Sequence, residues 1–267
     1  MRGLWSWAAA AAVLAILSGC SGGSGTAVPP ITREGVSLRV AEGTGAEVVT
    51  IRGGAGPNTL YIEDGAFRFL GTETRESDSV TRVFRSSDRR SVARLATPVD
   101  FKDIGLLGLV YERNGVLYVS QGVFGRFTRV ADMPGTGSAS FSGREAQASW
   151  VDVGDASDLD GGETIVEVNF GTGRVSALLD FTGSAGSQSA PIDMIELNNM
   201  RISGNRFAGG SLTSRKGGAK VAAFSDPSAL SSSGVFAGPG AAELGGVFQA
   251  KFPEDRLLLG RYLAARD

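Results

Sequence analysis

The sequence predicts an all-β protein whose long antiparallel sheet closes into a barrel. Three observations carry this. Short apolar segments alternate with polar residues at a period of two, from residue 36 almost to the C-terminus. Glycine supplies 39 of the 267 residues, about twice average usage, and it is spread between those segments where turns belong. No long stretch carries a 3.6-residue period, and a sheet of this many strands is relieved of its edges by closing on itself.

The segments follow one another in order. Residues 36–40, 47–52, 59–62, 66–70 and 79–85 are bounded by Gly, Asn or Asp, and 106–111 and 116–120 continue the series. Asn114-Gly115 between the last two is a strong hairpin signal, because both residues tolerate positive φ. The clearest hairpin comes later. Thr164, Val166, Val168 and Phe170 alternate with Glu163, Ile165, Glu167 and Asn169. Beyond Gly171-Thr172-Gly173, Val175, Ala177, Leu179 and Phe181 alternate with Arg174, Ser176, Leu178 and Asp180. Each strand presents one apolar face, as an antiparallel pair over a core requires. Further strands are expected at 137–144, 147–153, 192–203, 206–213, 219–224, 233–237, 246–252 and 257–265. That series slightly exceeds eight when the hairpin is added, so some members merge or are loop.

The first nineteen residues read as a signal peptide. Arg2 gives the positive start, 4–16 is an apolar run, and Leu17-Ser18-Gly19-Cys20 follows. The run is shorter than the ~20 residues of a permanent membrane helix. Leu17 to Cys20 resembles the lipobox of bacterial lipoproteins, which implies cleavage before Cys20 and a lipid anchor on its sulfur. Ser21 is the kind of residue that follows the cysteine in lipoproteins sent to the outer membrane. Residues 20–30 then form a Gly/Ser-rich tether. Cys20 is the single cysteine, so the mature part has neither a disulfide nor a thiol of its own.

Composition removes whole classes of function. With no histidine in the chain, Ser-His-Asp and Cys-His catalysis and His-ligated zinc or haem are excluded. A formal charge of −2 gives no sign of a nucleic-acid partner. No Walker or GxSxG sequence occurs, and Gly43-Thr44-Gly45 and Gly171-Thr172-Gly173 lack the third glycine and the helix of a phosphate cradle. Asp152, Asp155, Asp158, Asp160 and Glu163 crowd one loop, but their spacing is not that of an EF-hand, and they read as a solvated hairpin. Tyr61, Tyr111, Tyr118 and Tyr262 are potential iron or haem ligands by chemistry, yet each lies in a strand pattern. Arg82, Arg85, Arg89 and Arg90 belong to a stretch, 75–95, with six arginines against three acids. It reads as a candidate surface for an acidic partner, or as a pair of polar-faced strands.

Three stretches of the second half resemble the β-barrel domain of the transferrin-binding protein B family. One runs from Gly125-Arg126-Phe127-Thr128 through Asp132-Met133-Pro134-Gly135 to Phe141-Ser142-Gly143. Another is the hairpin from Val166 to Ser176. The most specific is Gly234-Val235-Phe236-Ala237-Gly238-Pro239 with Ala242-Glu243-Leu244-Gly245-Gly246-Val247-Phe248 and a last strand to Arg266. The resemblance implies an eight-stranded antiparallel β-barrel over 132–267, preceded by a smaller β-sheet handle over 31–131. It also implies attachment to the outer membrane, often at the cell surface, and a binding role: relatives capture transferrin, haemoglobin, haem or complement factor H. The full receptor lipoprotein has two such lobes, and this chain has length for one. Within the motif, Gly238, Pro239, Glu243, Gly245 and Gly246 read as structural, with Glu243 placed to accept hydrogen bonds from loop N–H groups at a barrel rim.

The expected function is therefore that of a non-enzymatic, lipid-anchored surface protein. It would bind an extracellular protein or iron carrier and need no cofactor. The alternatives are a lipocalin-like carrier of a small ligand such as haem and, more distantly, an envelope hydrolase.

Overall fold

The computed structural model describes residues 32–39, 46–53, 59–64, 67–113, 116–151, 159–184, 187–221, 231–252 and 257–267. The leader, the tether and Cys20 lie outside the described residues, as do Asn114-Gly115 and Asp152, Asp155 and Asp158. Among the described residues the fold is all-β, with one short 3-10 turn, η1 (Val130–Asp132).

The first eight strands are β1 (Thr32–Arg39), β2 (Ala46–Gly53), β3 (Thr59–Asp64), β4 (Phe67–Glu73), β5 (Thr81–Ser86), β6 (Val92–Ala96), β7 (Ile104–Arg113) and β8 (Val116–Gly125). Each pairs with the next, and β1 pairs with β8, so the meander closes on itself. The region whose sequence resemblance implied a handle is thus a closed ring in its own right. Arg113 faces Val116 across β7 and β8, which leaves two residues for the connection, as Asn114-Gly115 predicts. Leu60, Ile62, Phe69, Phe84, Leu95, Leu107, Leu109, Tyr111 and Phe124 fill the inside. Strand β6 is absent from the sequence reading because it is only five residues long, with Ala93 and Leu95 inward and Arg94 between them outward.

The second half comprises β9 (Ser138–Val151), β10 (Leu159–Asn169), β11 (Arg174–Asp180), β12 (Met194–Ser203), β13 (Arg206–Ala208), β14 (Ser211–Lys216), β15 (Ala219–Lys220), β16 (Ser231–Ala237), β17 (Glu243–Lys251) and β18 (Leu257–Arg266). The strand order is β11-β10-β9-β18-β17-β16-β13-β12, and the pairing of β11 with β12 closes the ring. The segments 137–144 and 147–153 merge into β9. Strands β13 and β14 act as one bent staff of the barrel: Arg201 faces Ala208 and Asn198 faces Ser211, three residues on along each chain with no slip of register. The bend is Gly209-Gly210, at φ 77° and 86°. A Cβ on Gly210 would lie 2.3 Å from the Asn198 carbonyl oxygen, so only glycine turns the corner there. Counted in this way the barrel has eight staves, and β14–β15 is a hairpin extending from one of them.

The β10–β11 pair follows its sequence pattern closely. Val166, Val168, Val175, Ala177 and Leu179 are buried, and Glu163, Ile165 and Glu167 are exposed. Thr164, the polar member of the inner face, is also buried. One end of the barrel is sealed by stacked rings. Phe236 lies 5.3 Å from Phe207, 5.7 Å from Phe170 and 6.4 Å from Phe141, centroid to centroid, and the Arg266 guanidinium sits over Phe141 and Phe170. Trp150 packs edge-on against Phe252 at 4.8 Å, and Phe181, Phe248 and Tyr262 are also buried. These residues form one continuous apolar core, which is how an eight-stranded barrel closes over packed side chains.

Candidate functional site: the seam between the two rings and its flanking faces

The GP–AELGG motif sits where the two rings meet. Glu243 opens β17, and its side chain is 6 % exposed. Its Oε1 accepts a hydrogen bond from the backbone N–H of Lys102 at 2.8 Å, and its Oε2 accepts from Asp103 at 2.9 Å and Ile104 at 3.0 Å. Those three amides lie at or just before the start of β7, where the ladder cannot yet satisfy them. A carboxylate with two oxygens meets such a run of donors better than any neutral side chain. The rim contact expected of Glu243 thus joins its own barrel to the neighbouring ring.

Gly238 completes the latch. It has φ 74°, its N–H donates to the Arg126 carbonyl and its carbonyl accepts from the Thr128 hydroxyl at 2.7 Å. A Cβ there would lie 2.9 Å from the Asp103 carboxylate. Asp103 in turn receives the Arg126 guanidinium, Nε to Oδ1, at 2.7 Å. The segment after β8 is stitched along β16: Phe127 bridges Ala237, Thr128 N–H donates to the Phe236 carbonyl, and Asn205 Nδ2 donates to the Thr128 carbonyl at 2.7 Å.

Below the latch the seam is apolar. Ala96, Phe101, Ile104, Leu106 and Val123 of the first ring pack on Val235, Ala237, Val247, Leu259 and Leu263 of the second. Strand β17 is therefore buried on both faces along nearly its whole length. Gly245 faces the seam, where a Cβ would meet Ile104 and Leu263 at 2.8 Å. Gly246 faces the barrel interior, where a Cβ would meet the Tyr262 ring at 2.5 Å. The adjacent glycines thus let a sheet and an aromatic ring approach one strand from opposite sides.

Farther along, Arg261 on β18 is 1 % exposed. Its Nη1 donates to the Leu107 carbonyl of the first ring at 2.8 Å, and its Nε and Nη2 donate to Gln147 Oε1 at 2.9 and 2.6 Å. Gln147 Nε2 passes the chain on to Asp160 at 2.8 Å. Sequence reasoning missed Arg261, whose signal is a lone cation within the apolar run of β18.

The basic stretch is the β5–β6 hairpin. Arg82 is held by Glu73 at 2.9 and 2.6 Å and lies 5.0 Å from the Phe84 ring. Arg85 is held by Glu76 at 2.8 and 2.9 Å, and Arg90 is 3.9 Å from Glu112. Arg89 is in the connecting turn at φ 60°. The Arg82 hydrogen bond holds the Glu73 carboxyl below its usual range. A depressed carboxyl contributes stability that is present above about pH 4.5 and is lost as pH falls through its folded value. The Tm deficit of an Arg82→Gln variant is accordingly expected to shrink between pH 6 and pH 3. It should leave a residual from lost packing on Phe84; a deficit constant over that range would refute the coupling.

Tyr111 and Tyr118 face each other in register across β7 and β8, and Tyr262 stands apart from them on β18. Tyr111 lies inside the first ring and Tyr262 inside the second. Burial pushes the Tyr262 hydroxyl well above the usual phenol range, so a tyrosinate ligand for iron is disfavoured there. Among the described residues no group of three acidic, Cys or His side chains is placed to hold a metal ion. Asp160 is engaged by Gln147, and Glu163 lies 3.6 Å from Arg144.

Two closed all-β rings, joined by a carboxylate latch and an apolar seam, define a lobe of ring and barrel. The family model describing the C-lobe and N-lobe β-barrels of transferrin-binding protein B matches residues 133–266. The chain belongs to this transferrin-binding protein B barrel family. Among solved structures it is similar to a transferrin-binding protein B variant from Haemophilus parasuis, at 20 % identity and a TM-score of 0.57, over 90 % of this chain and 45 % of that one. It is similar also to isotype 1 transferrin-binding protein B from serogroup B Neisseria meningitidis, at 15 % identity and a TM-score of 0.56, over 88 % of this chain and 43 % of that one. The intact Ap-TbpB, with N and C lobes, matches at 17 % identity and a TM-score of 0.51, over 92 % of this chain and 48 % of that one. The chain thus spans less than half the length of these structures. No curated protein sequence matches it.

Proposed function

We propose that this chain is a lipid-anchored outer-membrane surface protein that captures a macromolecule, an iron carrier above all, for uptake. The observation that carries the reading is the joining of two rings into one lobe by Glu243, which lies within the residues that match the family. Strand direction supports it. The connections after β9, β11, β15 and β17 share one barrel end and include the longest, whereas those after β10, β12 and β16 are short turns at the ring-sealed end. A latched lobe with its longer loops at one end is suited to presenting those loops to a partner. Arg89 and Arg90, at the tip of the β5–β6 hairpin, offer a second contact for an acidic partner. The filled barrel interior disfavours haem carriage, and the absence of histidine disfavours hydrolysis.

Palmitate labelling of the wild-type chain and of Cys20→Ser tests the anchor, and protease treatment of intact cells tests display. Capture of iron-loaded transferrin by immobilised chain, weakened by substitutions in the 181–193 loop, tests binding. Labelling that is absent from wild type, or equal in Cys20→Ser, overturns the anchor. Failure to retain transferrin or any other iron carrier overturns the capture role.

A further inference from the structure

We propose that the outer face of β11, β12 and β13, with Arg174, Arg201, Arg206 and the adjoining Val130, docks on anionic lipid headgroups beside the anchor. The three arginines stand on neighbouring strands. Arg174 is paired in register with Arg201, and Arg206 with Ser203, two residues beyond Arg201 on the same strand. Like charges set directly opposite in a sheet repel, so the arrangement favours a counter-anion from outside. Among the described residues no carboxylate is paired with Arg174 or Arg201; the Arg174 side chain donates to the Asn199 carbonyl at 3.1 Å. Their alternation with buried Val175, Met200 and Phe207 points all three away from the barrel interior. The only acid close by on the next strand, Glu167, is diagonal to Arg174 and accepts from the Ser140 hydroxyl at 3.0 Å.

Val130 adds an independent apolar element. It is 64 % exposed, the most exposed of the large hydrophobic residues described. Its Cγ2 comes within 3.3 Å of where a Cβ would stand on Gly204, in the turn between Ser203 and Arg206. An exposed aliphatic tip among arginines is the pairing that inserts at an interface while the cations hold phosphates.

The course of the chain places this face near the start of β1. Glu34 on β1 faces Gly125 at the end of β8, so Thr32 lies level with the segment that runs on through Phe127 and Thr128. Thr128 is bonded to Asn205, next to Arg206. From β16 the sheet continues to β13, β12 and β11 at ~4.8 Å per strand, placing Arg174 about 15 Å from the seam. The twelve residues from Cys20 to Thr32 have a contour length of about 40 Å. A bilayer holding the lipid is therefore within reach of the face. The inference rests on the proposed lipid anchor for its geometry, but not for its test.

The test uses the unacylated mature chain, Cys20→Ser, sedimented with vesicles of phosphatidylcholine alone or with 30 % phosphatidylglycerol (about 0.1 M salt). Each cation near an anionic surface contributes roughly fivefold in partitioning. The combined Arg174→Gln, Arg201→Gln, Arg206→Gln variant is expected to lose binding to the anionic vesicles by about a hundredfold while its circular-dichroism spectrum shows the β fold retained. A charge-matched control, Arg75→Gln, Arg90→Gln, Arg144→Gln, is expected to retain most of it. Val130→Ser should weaken what remains at high salt, where screening leaves the apolar contact. Equal loss in both triple variants, or no preference of the parent chain for anionic vesicles, overturns the proposal. So does a triple variant that keeps vesicle binding but loses capture of an acidic protein. Because acylation is absent throughout, a failed palmitate experiment leaves this result readable.

Discussion

Replacing Glu243 with alanine is expected to destabilise the chain by about 4 kcal/mol. The substitution strands three backbone N–H groups, of Lys102, Asp103 and Ile104, that the carboxylate satisfies at 2.8–3.0 Å. Each buried donor left without an acceptor costs roughly 1–3 kcal/mol, and water reaches the Lys102 amide most easily. In a chain of this size 1 kcal/mol moves Tm by about 2–4 °C, so a fall of about 10 °C is expected in a thermal scan. Glu243→Gln keeps one acceptor oxygen and turns an NH2 group toward the remaining donors, so it should fall between alanine and wild type. The two rings share the lost bonds, and amide exchange should accelerate first at the start of β7. A Glu243→Ala protein with wild-type Tm and unchanged exchange there would show that the latch is ornamental.

Phe236→Ala is expected to cost a similar amount, about 3–5 kcal/mol, by a different route. Phe236 is fully buried and its ring meets those of Phe207, Phe170 and Phe141. Truncation removes apolar burial and leaves a cavity walled by strands that cannot collapse, because each is held in the ladder on both sides. The loss should appear as a lower midpoint in urea with a largely unchanged slope. The defect lies at the sealed end of the barrel, so partner capture by the opposite loops should survive in the folded fraction. Retention of the wild-type midpoint would mean that the ring cluster closes over the gap.

The two substitutions separate what is local from what is assembled. Phe236 as a core residue was legible, since it sits in an apolar strand pattern beside turn glycines. The burial of Glu243 in an interface was only half legible: the motif suggested a carboxylate meeting loop amides, but not that those amides belong to residues about 140 positions earlier. Strand β6 was lost because it is five residues long and its inner side is marked only by Ala93 and Leu95, with Arg94 between them on the outer side, although its carbonyls and amides pair regularly with β5 and β7. The sequence predicts one strand over 206–213, straight through Gly209-Gly210, and does not show that the strand bends there. Only the unbroken register against β12 makes it a single bent stave. The arginines of 75–95 formed an apparent patch because Glu73 and Glu112, the acids facing Arg82 and Arg90, lie outside the stretch, and because the sequence does not show that Glu76, within it, binds Arg85.

By itself the sequence determined that the chain is all-β, which residues face inward on the β10–β11 pair, and that Gly-rich corners and a Glu-Leu-Gly-Gly run would shape one rim. Alternation, turn chemistry and backbone freedom are properties of neighbours along the chain, and neighbours are what a sequence displays. The tertiary structure alone decided that the first eight strands close as a ring, that β17 is buried on both faces, and that Arg261 crosses to the Leu107 carbonyl. It also decided that Arg174, Arg201 and Arg206 share one outer face. These depend on which strands come to lie side by side, and residues that meet across a hundred or more positions leave no period in the chain to read.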